Sequence, residues 1–323
     1  MDKMAIWGEN IPGNSHRSKL SDLEIRGNPN VILQTLRFVL ALPGQKYRDK
    51  KTTVDTFTYV SCIKRGHARE TYGDMPYLIP YLAEGSDSAV IVIPGGGYGY
   101  ISIDTSREEQ QTEGALIARR LNEIGISAFV LAYRYNPYTM PIPLLDVQRA
   151  VRFVRSKADV WGIKPDNIGL IGFSAGGYQV GGFINLVRGR DFFPPDYRQD
   201  ATDQVSDQVS NAAMIYPLLT LRFNIPVMFC MFPAQKVRDA AMRNQLVNDY
   251  ELRDHLASHD VWQFIAQGDK DLLVNVQGVR DYTDALKSAG IPHRYIEAPG
   301  ANHGFFMNKK YADVFQSYLD WLR

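Results

Sequence analysis

The stretch Ile168-Gly169-Leu170-Ile171-Gly172-Phe173-Ser174-Ala175-Gly176-Gly177 decides how the rest of the chain is interpreted. Its first half is a continuous apolar run, typical of a buried parallel strand, and the residues after Phe173 are compatible with a helix. Between them, Gly172-Phe173-Ser174-Ala175-Gly176 fits the G-x-S-x-G turn that lifts a serine hydroxyl clear of a sheet. A glycine-rich packing turn is the other interpretation, but the strand before the motif and the helix after it favour Ser174 as a nucleophile.

Strands and helices alternate on both sides of this turn. Apolar runs predict further strands over residues 90–93 and 128–132, and later strands are predicted over 212–216, 262–266 and 293–297. Helices are predicted over about 112–124, 143–159 and 310–322, and the one over 143–159 has apolar residues at helical spacing. This alternation predicts an α/β fold in which a mostly parallel central sheet is flanked by helices. We expect residues 1–323 to form a single domain.

Two regions depart from the alternation. Residues 1–50 contain many Gly and Pro breakers, with one possible helix over 31–42, and we interpret them as an irregular N-terminal arm. Residues 57–62 and 77–82 resemble an antiparallel pair of strands. Residues 219–260 interrupt the rhythm with a proline-marked stretch and a charged helical stretch over about 234–256. We predict that this segment is a cap-like insertion over the sheet edge.

Composition excludes several classes of partner. Lys plus Arg number 36 and Asp plus Glu number 35, so nothing in the charge balance favours nucleic acid or an anionic membrane. No run approaches the ~18 apolar residues that a spanning helix needs. The first ten residues lack the pattern of a secretory signal. Cys62 and Cys230 form neither a metal-ligand spacing nor a disulfide framework. We therefore expect a cytoplasmic protein without a metal or an organic cofactor.

A glycine run follows the first buried strand. Glycines in Pro94-Gly95-Gly96-Gly97-Tyr98 allow backbone N–H groups to approach a developing oxyanion, and we assign Gly96, Gly97 and Ala175 as the donors. A phosphate-binding loop would need a Gly-Lys-Ser/Thr ending, and a dinucleotide site would need a third glycine where Ser102 stands. Tyr98 and Tyr100 are candidate substrate-binding residues of an acyl or sugar pocket, although ordinary core packing explains them equally well.

The remaining catalytic groups are expected in two loops that follow later strands. His303, between the last strand and the last helix, is placed to act as a general base at the sheet edge. A base needs a carboxylate to fix its tautomer, and both Asp269 and Asp271 qualify by position. The order Ser174, Asp, His303 is the α/β-hydrolase order and differs from those of chymotrypsin and subtilisin.

Other polar residues have weaker functional interpretations. His255 and His259 lie four residues apart on a predicted helix, but a metalloprotease helix would carry a glutamate where Leu256 stands. Asp146 and Arg149 are interpreted as a structural charge pair at i, i+3.

Several motifs together resemble a known group of enzymes, the carbohydrate acetyl-esterase and xylanase-associated esterase group of α/β-hydrolases, near the hormone-sensitive-lipase-like esterases. The resemblance covers about residue 76 to the C-terminus, and the start of the chain fits as well. It is carried by Ile93-Pro94-Gly95-Gly96-Gly97-Tyr98, Ala132-Tyr133-Arg134-Tyr135, Pro143-Leu144-Leu145-Asp146-Val147-Gln148-Arg149-Ala150, Gly172-Phe173-Ser174-Ala175-Gly176-Gly177 and the segments 268–274 and 299–305.

The resemblance implies Ser174 as nucleophile, His303 as base and Asp271 as acid. It also implies a short acyl ester as substrate, with acetyl on a small molecule or a carbohydrate preferred. Two rival functions remain at this point. One is an amidase, formamidase or oligopeptidase-like hydrolase on the same three residues, and the other is a binding protein of the same fold that has lost the reaction.

Overall fold

The computed structural model describes residues 3–13, 75–98, 101–103, 113–135 and 138–323. The predicted helix 31–42, the predicted strand 57–62, most of the N-terminal arm and the site candidate Tyr100 lie outside the described residues.

An eight-stranded sheet forms the centre of the described fold, in the order β1-β2-β4-β3-β5-β6-β7-β8. The short N-terminal strands β1 and β2 pair antiparallel with each other, and β2 pairs antiparallel with β4, whereas the pairings from β4 through β8 are parallel. The strands are β1 Met4–Ala5, β2 Tyr77–Tyr81, β3 Ala89–Ile93, β4 Ser127–Ala132, β5 Ile168–Phe173, β6 Asn211–Ile215, β7 Trp262–Gly268 and β8 His293–Ala298.

Helices alternate with these strands along the chain, as the sequence pattern predicts. Their bounds are α1 Ala115–Glu123, α2 Ile142–Ser156, α3 Ala175–Gly182, α4 Ile225–Met231, α5 Ala234–Arg238, α6 Ala240–Tyr250, α7 Val276–Ser288 and α8 Ala312–Leu322. This open, mostly parallel sheet with flanking helices is the predicted α/β architecture. The apolar runs predict the central strands well because β3, β4 and β5 are buried along their whole length.

The parallel strands bring four loops to one edge of the sheet. Because β3, β5, β7 and β8 run in the same direction, their C-terminal ends meet at that edge. In open α/β sheets, ligands bind in the crevice outside the C-terminal ends of the strands. The loops that follow these strands carry all the candidate catalytic residues.

A buried ionic cluster attaches the N-terminal segment 3–13 to the body. The guanidinium of Arg134 pairs with Asp146 at 2.7 Å, and neither side chain is exposed. Asp146 also accepts the indole N–H of Trp7 at 2.7 Å. Arg149 instead pairs with Asp200 and Asp203. The predicted pair between Asp146 and Arg149 is therefore wrong, since each side chain finds its partner far away in sequence.

Residues 219–260 form three helices and a single turn rather than one long helix. Asp239 separates helix α5 from helix α6, and its carboxylate caps α6 by accepting the N–H of Met242. None of the α6 side chains is buried. The segment touches the body where the hydroxyl of Tyr178 donates to the carbonyl of Tyr250 at 2.7 Å. Whether the segment acts as a cap stays a prediction.

The predicted helical histidine pair is not formed. Helix α6 ends at Tyr250, and His255 and His259 lie in irregular chain beyond it. Among the described residues, no group of three or more His, Cys, Asp or Glu side chains is arranged to hold a metal ion. None of the helices in the described ranges is long and apolar enough to cross a membrane.

Candidate active site

Ser174 is the single residue between strand β5 and helix α3. Its φ of 52° and ψ of −114° lie in a region that non-glycine residues rarely adopt. Its N–H donates to the carbonyl of Ile215 at 3.0 Å, which ties the turn to β6. A β-carbon on Gly172 would lie 2.1 Å from the carbonyl oxygen of Gly176. The turn is therefore as tight as the G-x-S-x-G pattern predicts, and glycine is required at this position for space.

Three predicted site residues from distant loops form a continuous hydrogen-bonded series. The Nε2 atom of His303 lies 2.9 Å from the Oγ atom of Ser174. The Nδ1 atom of the same ring lies 2.8 Å from Oδ2 of Asp271. The side chain of Asp271 is fully buried, and that of His303 is 15% exposed. This is the geometry by which a base can take a proton from a serine hydroxyl while a carboxylate holds its tautomer.

Four donors surround the carboxylate of Asp271. Oδ1 accepts the backbone N–H groups of Leu273 and Val274 at 2.9 Å each. Oδ2 accepts the side-chain amide of Gln267 at 2.9 Å in addition to the contact with His303. Both oxygens of this buried side chain therefore have hydrogen-bond partners, and one of those partners is the imidazole.

Asn302 joins the two loops that hold Asp271 and His303. Its Oδ1 atom accepts the N–H of Leu272 at 3.1 Å and that of His303 at 2.8 Å. Lys270 adds a backbone hydrogen bond to the carbonyl of Ala301 at 2.9 Å. The two loops are thus one hydrogen-bonded unit, so the distance between carboxylate and imidazole is set by the backbone.

The glycine loop after β3 packs directly against the serine turn. A β-carbon on Gly95 would come within 2.9 Å of the β-carbon of Ser174. Gly96 and Gly97 follow with φ of 134° and 61° and are half-buried. Ala175 is the first residue of α3, on the other side of the nucleophile. The three residues assigned as oxyanion donors therefore flank Ser174.

Tyr98 lies beneath this loop rather than on an open wall. The residue is fully buried, and its hydroxyl donates to the carbonyl of Ala175 at 3.2 Å and accepts from Gln179 at 2.9 Å. The predicted substrate-binding role does not fit this burial, because a ligand cannot reach the ring. Tyr98 instead connects the glycine loop with the first turn of α3.

Two further residues reach the site and were missed by the sequence reasoning. Glu113 stands in the run Arg107-Glu108-Glu109-Gln110-Gln111-Thr112-Glu113, which has the composition of a solvated segment. Its carboxylate is nevertheless buried and accepts the N–H of Gly95 and the hydroxyl of Tyr216. Tyr216 is the last residue of the predicted strand 212–216, and only its position at the sheet edge could have signalled it.

The described structure has the α/β-hydrolase fold. Residues 77–215 match the BD-FAE family. The chain is 27% identical over 244 residues to the acetylxylan esterase of Xylanibacter ruminicola, covering 74% of this chain and 46% of that protein. It is 27% identical over 245 residues to endo-1,4-beta-xylanase B of Butyrivibrio fibrisolvens, covering 72% of this chain and 35% of that protein. The chain thus spans less than half the length of these two curated relatives.

Solved structures agree with the sequence relatives. The acetyl ester-xyloside bifunctional hydrolase from Caldicellulosiruptor lactoaceticus superposes with a TM-score of 0.62 at 28% identity, over 77% of this chain and 88% of that one. A thermophilic esterase from Thermogutta terrifontis shares the fold at 22% identity, with a TM-score of 0.59 over 77% and 89% of the two chains. The predicted resemblance is confirmed: the chain is similar to carbohydrate and acetyl esterases of the α/β-hydrolase fold.

Proposed function

We propose that this protein hydrolyses carboxylic esters through a covalent acyl-enzyme, with Ser174 as nucleophile, His303 as base and Asp271 as acid. The observation that carries the proposal is the pair of distances at the imidazole: 2.9 Å from Nε2 to Ser174 and 2.8 Å from Nδ1 to Asp271. A serine hydroxyl is weakly nucleophilic unless an adjacent base accepts its proton. Both contacts use ring nitrogens, so one imidazole serves the serine and the carboxylate at once.

In the first half-reaction, the Oγ atom of Ser174 bonds to the ester carbonyl carbon, and its proton passes to Nε2 of His303. The negative charge that develops on the carbonyl oxygen is stabilised by the N–H groups of Gly96, Gly97 and Ala175. When this intermediate collapses, the bond to the alkoxy oxygen breaks. The imidazolium returns its proton to the departing alcohol, and Ser174 is left acylated.

In the second half-reaction, a water molecule takes the place of the alcohol. His303 accepts a proton from the water as its oxygen bonds to the acyl carbon. Collapse of the second intermediate breaks the bond between the acyl carbon and Oγ of Ser174. This step releases the carboxylic acid, and His303 returns the proton to Oγ. Both halves use the chain's own residues alone.

We further propose that the substrate carries a short acyl group, with acetyl on a carbohydrate preferred. This proposal is supported by the names of two similar proteins, an acetylxylan esterase and an acetyl ester-xyloside bifunctional hydrolase. It does not follow from the fold, because one fold supports many substrates. The proposed partner is thus a small-molecule or carbohydrate ester.

A fluorophosphonate probe and a pair of matched substrates test the activity. We expect the purified protein to be labelled at Ser174 and to hydrolyse p-nitrophenyl acetate much faster than p-nitroacetanilide. Turnover of the anilide at a comparable rate would favour an amidase. A protein that is neither labelled nor active would contradict the proposal and favour a binding protein of the same fold.

A further inference from the structure

A buried carboxylate lies behind the glycine loop and takes no part in the mechanism above. Glu113 is 9% exposed and stands just before helix α1. Its Oε2 atom accepts the backbone N–H of Gly95 at 2.8 Å, and its Oε1 atom accepts the hydroxyl of Tyr216 at 2.8 Å. Among the described residues, no Lys or Arg forms an ion pair with it. Burying a carboxylate is costly unless it is hydrogen-bonded, so the contacts with Gly95 and Tyr216 are what offsets the cost of burying Glu113.

The first contact reaches the loop that is assigned to the oxyanion. Gly95 packs against Ser174 and directly precedes Gly96 and Gly97. The N–H of Ser102 closes the same loop by donating to the carbonyl of Gly95 at 2.9 Å. Both polar groups of Gly95 are therefore fixed, its N–H by Glu113 and its carbonyl by Ser102. A hydrogen bond to a carboxylate is roughly twice as strong as a neutral one, so Glu113 is well suited to hold the loop.

The second contact reaches the ring against which the proposed base packs. The centroids of the Tyr216 and His303 rings are 4.7 Å apart, with their planes at 57°. Tyr216 is buried and has a positive φ of 36°, which is unusual for a tyrosine. Burial, followed by the negative charge of Glu113, raises the pKa of its hydroxyl well above the ordinary value. The hydroxyl thus stays protonated and donates to Glu113.

From these contacts, we propose that Glu113 is a positioning residue that fixes the oxyanion loop at Gly95 and the orientation of His303 through Tyr216. This inference rests on the proposed function. One carboxylate would then hold both the glycine loop and the ring of Tyr216, which come from separate segments of the chain. A displacement of about 1 Å at a reacting group can lower a rate by roughly 10²-fold. We expect an effect of that size when both contacts are lost.

Substitutions that remove the contacts one at a time test the proposal. Glu113→Ala removes both, and we expect kcat to fall by about 10² with little change in KM. Glu113→Gln keeps an acceptor for Gly95 and can donate to the hydroxyl of Tyr216, so we expect a loss of about tenfold or less. Tyr216→Phe keeps the ring but removes the hydroxyl that donates to Glu113. Because the hydroxyl acts through Glu113, we expect the double variant Glu113→Ala/Tyr216→Phe to be no worse than Glu113→Ala.

Asp207 offers a matched control. It is also buried, and it accepts one glycine N–H, that of Gly189, and one side-chain donor, Gln148, each at 2.8 Å. Unlike Glu113, it also has a guanidinium nearby, that of Arg152 at 4.0 Å. Asp207→Asn therefore reports the effect of neutralising such a carboxylate away from the serine. We expect it to lower the unfolding temperature while leaving kcat unchanged.

The readout specific to positioning is the affinity for a trifluoromethyl ketone, which forms a tetrahedral adduct with the serine. We expect that affinity to fall in Glu113→Ala by the same factor as kcat/KM, because both depend on the oxyanion loop. Wild-type affinity and kcat in both Glu113 variants, or an equal loss of kcat in Asp207→Asn, would overturn the inference while leaving an active wild-type esterase. A wild-type protein without esterase activity would overturn the proposed function and this inference together.

Discussion

The carboxylate of Asp269 accepts the backbone N–H of Gly300 at 2.6 Å, so it braces the loop before His303 instead of contacting the imidazole. Asp271 is the carboxylate that lies 2.8 Å from that ring. We expect Asp271→Asn to lower kcat by about 10⁴, because an amide holds the imidazole in the wrong tautomer. Asp269→Asn should cost far less activity and act mainly on stability. Ester hydrolysis by both variants, compared with their unfolding temperatures, checks this, and an inactive Asp269→Asn with an active Asp271→Asn would reverse the assignment.

Ser174→Ala should abolish turnover without unfolding the protein. The substitution removes the hydroxyl that attacks the ester, and loss of a serine nucleophile can lower kcat by on the order of 10⁶. Hydrolysis of p-nitrophenyl acetate and labelling by the fluorophosphonate probe are the two measurements, with circular dichroism as the folding control. Near wild-type hydrolysis by the purified variant would mean that another residue is the nucleophile.

Short acyl chains should be the better substrates. This prediction is based on the similarity to proteins named for acetyl esters and on the close packing of the glycine loop against Ser174. A series of p-nitrophenyl esters from acetate to decanoate measures the preference as kcat/KM. We expect the value to fall as the chain lengthens, and a rise toward decanoate would indicate a lipase-like site.

The ion pair between Arg134 and Asp146 should be a major determinant of stability. Asp146→Ala leaves a fully buried guanidinium without its carboxylate, and removing one partner of a buried pair costs about 3–5 kcal/mol. The exposed pair Arg120–Glu123, with side chains 48% and 59% exposed, provides the control. Glu123→Ala should change the free energy of unfolding by about 1 kcal/mol or less. Urea unfolding of both variants measures the two changes in the free energy of unfolding. Equal losses would show that burial of the ion pair does not matter here.

The segment 219–260 should respond to occupation of the site if it is a cap. Lys236 and Arg238 are exposed in α5 and offer trypsin sites within the segment. We expect cleavage there to be faster than in the body and to slow after the serine is modified by a covalent inhibitor. Cleavage no faster than in the body, and unchanged by the inhibitor, would show that the segment is not a mobile cap.

The sequence predicts the central strands and most helices to within a few residues. Helix 143–159, for example, is found at Ile142–Ser156, and the strand over 168–172 at Ile168–Phe173. These elements carry their signal locally, since a strand buried on both faces is apolar throughout and a packed helix has an apolar stripe. The long helix predicted over 234–256 fails because its exposed side chains provide no such stripe, and Asp239 begins a new helix within it.

By itself, the sequence determined the α/β alternation, the turn at Ser174 and the order in which nucleophile, acid and base candidates follow one another. Each of these depends on residues that are neighbours in the chain. The resemblance already implies Asp271 as the acid, but only the tertiary structure decided that Tyr98 is buried and that Glu113 lies behind the glycine loop. These contacts join residues that the crossovers of a parallel sheet bring together at one edge. A short polar side chain has several partners within reach there, and its spacing in the chain does not select among them.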